Sequence, residues 1–112
     1  MQYLLLIYSA ESDDANLDGP KLMADYGAFT QGIVQSGHFK SAYRLKPVDT
    51  ATTVRVREGK TLTTDGPFAE TREQLGGYYL VEAKDIDEAV AIAAKVPTAK
   101  HGSIEVRPVW AM

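Results

Sequence analysis

The sequence predicts an α+β domain of the split βαβ, ferredoxin-like kind. Three observations carry that prediction. Strand and helix patterns alternate as βαβ, hairpin, βαβ; the first strand and the strand at 75–83 are apolar on both alternating faces; and two amphipathic helices are opened by proline or aspartate signals. At 112 residues the chain is one domain, 1–112, and folding at this length buries roughly 65% of the surface of the unfolded chain, enough for a real core.

The first element, Tyr3-Leu4-Leu5-Leu6-Ile7-Tyr8, reads as a central strand covered on two sides. A polar stretch at 9–16 leads to Asp18-Gly19-Pro20, where proline suits the first turn of a helix and Asp18 or Gly19 can cap it. Leu22, Tyr26, Phe29 and Ile33, flanked by Met23, Thr30 and Val34, make one apolar stripe, and Gly37 stands where a helix ends in the left-handed conformation. Gly27 and Gly32 inside that helix each cost about 1 kcal/mol against alanine. Close packing on the sheet explains them, and simple tolerance is the alternative.

Residues 38–45 form the second strand, closed by Pro47. Thr53-Val54-Arg55-Val56-Arg57 alternates, Glu58-Gly59 supplies a tight turn, and 60–64 returns, which predicts a ribbon with one wet face. Residues 75–83 form a strand with Tyr78 and Leu80 on one face and Tyr79 and Val81 on the other. Asp85-Ile86-Asp87-Glu88 has the form of a capping box, and Ile86, Ala89, Val90 and Ala93 recur at helical spacing until Pro97. Residues 103–110 close the chain as a strand. With both crossover helices on one side, the opposite sheet face is left bare, and a homodimer packed through that face would bury it.

Composition narrows the function. The hydrophobic fraction of 45% and charged fraction of 24% are ordinary for a globular domain. The chain has no cysteine, so disulfides, thiolate metal sites and a cysteine nucleophile are excluded. Twelve basic against fifteen acidic residues give a net charge of -3, no footprint for nucleic acid; Arg55, Arg57 and Lys60 form at most a local basic face. The longest apolar run, 3–8, is too short to span a membrane and lacks a basic leader, which predicts a cytoplasmic protein. His38 and His101 have no ligand partner at helical spacing, so no metal is expected. Glycine-rich phosphate loops and nucleophile elbows are absent from the sequence, and no cofactor is expected.

The segment 65–77, Asp-Gly-Pro-Phe-Ala-Glu-Thr-Arg-Glu-Gln-Leu-Gly-Gly, is the most informative stretch. From Asp65-Gly66-Pro67-Phe68 onward the chain resembles the DGPF proteins of the YCII-related family. The likeness extends to Tyr26-Gly27-Ala28-Phe29, Ala51-Thr52-Thr53-Val54-Arg55, Asp87-Glu88-Ala89 and 102–109. The resemblance implies a ferredoxin-like fold and homodimers of the dimeric α/β-barrel type. It also implies relatives that include a dehalogenase of chlorinated hydroxymuconate, a histidine–aspartate pair proposed as catalytic in related proteins, and genes often placed beside extracytoplasmic-function sigma factors. This sequence departs from the DGPF pattern at His38, where an apolar residue is commoner, and at His101, where tyrosine is; no histidine role is transferred.

Pro67 and the residue before it make the 65–68 turn stiff. Asp65 then has two readings: an Asx-type cap on the amides ahead, or a carboxylate projected into a cleft as general acid or base. Gly76 and Gly77 mark a close approach by ligand, partner chain or helix. Glu70, Arg72 and Glu73 read as a solvated face, and Glu105 and Arg107 share a face on the last strand, where they can pair. The sequence therefore nominates Asp65 as catalytic and Tyr8, Phe68, Gly76, Gly77, Tyr78 and Arg107 as ligand-binding. They would serve a protein that binds a small organic molecule in a cleft between the sheet and 65–77, with lyase- or dehalogenase-like acid–base chemistry. The alternative is a non-enzymatic regulatory or interaction protein working near a sigma factor.

Overall fold

A computed structural model describes residues 1–111. β1 (Gln2–Ser9), β2 (Phe39–Arg44), β5 (Gln74–Glu82) and β6 (Ser103–Pro108) form a four-stranded sheet in the order β2-β5-β1-β6, every neighbouring pair antiparallel. Strands β1 and β5, the two most apolar, take the centre, where each finds a hydrogen-bonding neighbour on both sides. β3 (Thr52–Arg57) and β4 (Lys60–Asp65) make a separate two-stranded ribbon inserted between the halves. This is the split βαβ arrangement predicted from the element order.

The pleat sends Tyr3, Leu5, Ile7, Tyr79 and Val81 to one face, where α2 (Gly19–Gln35) and α3 (Ile86–Ala93) bury them against Ile33, Ala89, Ile92, Ala93 and Val96. Tyr79 is the hub of this core. Its ring meets Phe29 edge-on at 5.2 Å and Phe39 at 6.2 Å and stacks on Tyr26 at 6.4 Å, while its hydroxyl lies 2.6 Å from Thr30 Oγ1.

Both helix starts are capped as predicted. The Asp18 carboxylate accepts from the Lys21 amide at 3.0 Å with Pro20 in the first turn, and Asp85 accepts from the Glu88 amide at 2.9 Å. Glu88 Oε1 reaches back to the Lys84 amide at 2.9 Å and lies 3.3 Å from His38 Nε2. The Lys84 amide, more than His38, holds the Glu88 carboxyl below its usual range against a desolvation effect that opposes it. The resulting stabilisation is present above the ordinary carboxylate pKa and is lost as the pH falls through the lowered value. Asp85→Ala should cost about 1 kcal/mol in denaturant unfolding, whereas Asp85→Asn should keep most of the stability.

Several expectations are corrected. The polar stretch after β1 is not all loop: residues Glu11–Asp14 form a short helix, α1, opened at Ala10. Gly27 and Gly32 do not pack on the sheet. Nothing stands within 4 Å of where a Cβ would sit at either, so α2 simply tolerates them on its outer side. α3 ends at Ala93, ahead of Pro97, and that proline instead opens a 3-10 turn, Pro97–Lys100. β6 stops at Pro108, leaving Trp110 exposed beyond it.

Within the chain the first strand is covered on one side only. Leu4, Leu6 and Tyr8 of β1 align with Leu80, Tyr78 and Leu75 of β5 on the face away from the helices, where they are half-buried by their neighbours on the sheet. The ribbon has two wet faces instead of one, for every residue but Thr53 is exposed. Its turn is as predicted: Glu58 and Gly59 both have positive φ, 52° and 74°, the requirement of the type I′ turn that matches strand twist.

Candidate functional site

A cluster of polar side chains gathers where β1 runs out. Ser9, the last residue of β1, is buried, and its hydroxyl donates to Asp14 Oδ2 at 2.7 Å. The short α1 exists at the right distance for this because Ala10 and Glu11 carbonyls accept the amides of Asp14 and Ala15, folding the acidic stretch back over the strand end. On the far side of the Asp14 carboxylate, Oδ1 lies 3.6 Å from His101 Nε2. Asp14 therefore sits between a hydroxyl that fixes it and an imidazole.

His101 reaches this place through Gly102. The glycine amide donates to Thr98 O at 2.7 Å, tying the 3-10 turn to the start of β6. A methyl on Gly102 would run into the backbone carbonyl of Tyr8 and crowd Ser9 Cβ and Thr98 Cγ2. So close a seat fixes the histidine relative to the strand end. Thr98 is itself buried, its hydroxyl 2.5 Å from the Tyr26 hydroxyl of α2. Burial raises the Tyr26 pKa, the hydrogen bond to Thr98 partly offsets this, and the Tyr79 and Asp14 groups add to the rise.

His101 also lines a cavity of about 160 Å³, shared with Leu17, Asp18, Lys21, Leu22, Asp25, Pro97 and Lys100. Lys21 is paired with Asp25 at 3.1 Å. A larger hollow of about 560 Å³ runs along the outside of α2 between Met23, Tyr26, Gly27, Thr30, Gln31 and Val34, but it is shallow and its one ionisable lining group is Tyr26. Chemistry favours the smaller cavity. There an imidazole with a carboxylate behind it meets Lys21 and Lys100 and the carboxylates of Asp18 and Asp25.

The residues nominated from sequence fall into three groups. Tyr8, Tyr78 and Arg107 stand on the bare sheet face: Leu6 is flanked by Tyr78 and Glu105, and Leu4 by Leu80 and Arg107. Tyr43 of the edge strand β2 joins them, its ring 6.1 Å from that of Tyr78. Arg107 pairs with Glu105 along its own strand, with Nε donating to Oε2 at 2.9 Å. That hydrogen bond and charge hold the guanidinium above its ordinary pKa, with a smaller contribution from Tyr8.

The two glycines are explained by strand geometry within the chain. β1 and β5 slip register between Ile7 and Tyr8, so that Gly77 opposes Ile7, Leu75 opposes Tyr8 and Gly76 is the extra residue of a bulge. Gly77 is buried, and a Cβ there would lie 2.8 Å from Tyr43 O on β2. Its close neighbour is thus the adjacent strand, in place of the ligand, partner chain or helix that the sequence suggested.

Asp65 and Phe68 form the third group. Asp65 ends β4 opposite Thr52, fully on the ribbon and exposed, and its carboxylate makes no hydrogen bond among the described residues. The turn after it is held by others: Gly66, at φ 102°, donates its amide to Ala51 O at 2.7 Å and accepts the Thr53 hydroxyl at 2.8 Å. The capping reading of Asp65 is thereby corrected, because backbone and threonine already satisfy the turn. Phe68 is 78% exposed. Among the described residues, no group of three or more His, Asp or Glu is placed to hold a metal ion, and no helix is long and apolar enough to cross a membrane.

Sequence reasoning passed over Asp14 and His101. They are 87 positions apart, and neither carries a local motif; the antiparallel β1–β6 pairing is what brings them together. Fold and strand-end cluster together define an α+β protein of split βαβ topology with a polar cluster at one end of its sheet. The chain belongs to the YCII-related domain family, whose model matches residues 1–112. It is also similar to an uncharacterised protein of Rhizobium meliloti (strain 1021), at 38% identity over 113 residues, covering 96% of this chain and 91% of that protein.

Proposed function

We propose that this YCII-related protein is a homodimer, joined through its bare sheet faces, that binds a small organic acid beside His101 and acts on it by acid–base chemistry of the lyase or dehalogenase kind. The observation that carries the reading is the His101–Asp14 pair at the cavity lip, with Asp14 anchored by the buried Ser9 hydroxyl. A carboxylate at Nε2 favours the tautomer with its proton on that nitrogen, which leaves Nδ1 free to take a proton from a ligand. The separation of 3.6 Å is an ion-pair distance, longer than a direct hydrogen bond, and ligand binding would tighten it. With Asp25 paired to Lys21 and the Asp18 carboxylate accepting from the Lys21 amide, Lys100 is the cation left at the cavity for a carboxylate ligand.

The acid–base role expected of Asp65 passes, in this reading, to Asp14 and His101. Within the chain the Asp65 carboxylate makes no hydrogen bond among the described residues, whereas Asp14 is held by Ser9 beside an imidazole. A thermal-shift screen with small carboxylates, phenols and halogenated muconates tests the proposal. A stabilising ligand should be found; His101→Asn and Asp14→Asn should each abolish its shift or its turnover while leaving the circular dichroism spectrum unchanged, and Asp65→Asn should leave both in place. If the shift survives His101→Asn, or disappears in Asp65→Asn, the assignment is wrong.

A further inference from the structure

We infer that the β3–β4 ribbon is a dimerisation arm, packed through Val54 and Val56 on the second copy of the chain. The inference rests on the homodimer reading above and adds to it a second contact surface. Four observations carry it.

The first is the excess of surface. The chain exposes 8017 Å², whereas a compact monomer of its mass exposes about 6,100 Å². Its radius of gyration, 15.9 Å, likewise exceeds the roughly 13 Å of a compact domain this long. The excess has an evident source in a ribbon that stands out from the body.

The second is the ribbon's own pattern. Cross-strand register puts Thr52, Val54, Val56, Thr61, Thr63 and Asp65 on one side and Thr53, Arg55, Arg57, Lys60, Leu62 and Thr64 on the other. All three cations stand on the second side, and the first carries both valines. Val54 and Val56 are each 59% exposed, yet a two-stranded ribbon is marginal in water without something packed on it. The other side has its cations at the tip, with Arg57 opposite Lys60, which suits water better than a second chain.

The third is area. A sheet face four strands wide and six residues long has a footprint of roughly 400 Å², by strand spacing and rise. A stable interface of standard size buries about 800 Å² on each partner. The bare face alone falls short of that, and one face of the ribbon adds roughly 200 Å² per copy.

The fourth is anchoring. The arm's roots are fixed: Glu11 Oε2 accepts the Val48 amide at 3.0 Å, and the Gln74 side chain accepts the Glu11 amide at 3.0 Å while donating to Thr71 O at 2.7 Å. A projecting ribbon held firmly at its base meets a partner with little loss of freedom. Because Asp65 shares the Val54 side, the arm carries that carboxylate of one copy into the interface with the other.

Light scattering and sedimentation on the intact chain test this, with three variants compared. Val54→Lys/Val56→Lys should raise the dimer Kd about tenfold or more with an unchanged circular dichroism spectrum. Leu62→Lys, on the basic side of the same ribbon, should leave the dimer intact. Leu6→Lys, on the sheet face, reports on the underlying homodimer reading. If the unaltered protein is monomeric at micromolar concentration, arm and sheet-face dimer both fall. If it is dimeric and Leu6→Lys dissociates it while Val54→Lys/Val56→Lys does not, the arm alone is overturned; equal loss in Leu62→Lys would also refute it, since no face would then be favoured.

Discussion

Replacing Gly102 with alanine should lower the stability by about 3 kcal/mol, at the upper end for overpacking by a single carbon, and the melting temperature by about 10 °C or more. The added methyl would meet the Tyr8 carbonyl, which belongs to the backbone of the central strand β1. A flexible side chain could turn aside; a carbonyl engaged in a sheet cannot. Thr98 and Ser9 close the other two directions, so the chain has to move the start of β6 away from β1 or leave the 3-10 turn unseated. Either movement shifts His101 from Asp14, and ligand binding should fall together with stability. Gly27→Ala is the matched control. It adds the same methyl where nothing stands within 4 Å, and inside a helix it should stabilise by up to about 1 kcal/mol. Paired thermal melts that showed equal effects at the two glycines would contradict the packing account.

The contrast between these glycines shows what sequence could and could not carry. Helix α2 with its cap at Asp18 or Gly19, the tight turn at Glu58-Gly59, the capping of α3 by Asp85 and the left-handed Gly37 were all legible, because each depends on residues within a few positions. The order of elements then restricted the sheet to few topologies. What was not legible depends on residues far apart. Gly102 looks like any loop glycine until β6 lies beside β1, and the bulge that explains Gly76 and Gly77 is a property of two strands. Asp14 and His101 escaped for the same reason. The two-sided reading of β1 is met on one side within the chain: an apolar run on both faces reports that something covers each, without saying whether that cover comes from the same chain. Leu4, Leu6 and Tyr8 are the residues on which the proposed dimer would act.

Tyr79→Ala should be about as damaging, at about 3–5 kcal/mol, the range for truncating a large buried aromatic. Tyr79 is buried between three rings, those of Tyr26, Phe29 and Phe39, which come from α2 and β2. Those elements meet the sheet through it. Its removal leaves a hole that the rings cannot fill without drawing α2 inward, and α2 carries Tyr26, whose hydroxyl is tied to Thr98 beside the proposed site. Tyr79→Phe isolates the polar part. The ring contacts remain, the hydrogen bond to Thr30 is lost, and about 1 kcal/mol should go with it. Thr30→Val alone should cost a similar amount, because it strands the phenol hydroxyl. The two changes together should cost less than their sum, since the double variant leaves neither group unpaired. Urea unfolding of the four proteins measures this coupling directly; strict additivity would mean that the 2.6 Å contact between Thr30 and Tyr79 contributes nothing to stability, and that the rings alone hold α2 to the sheet.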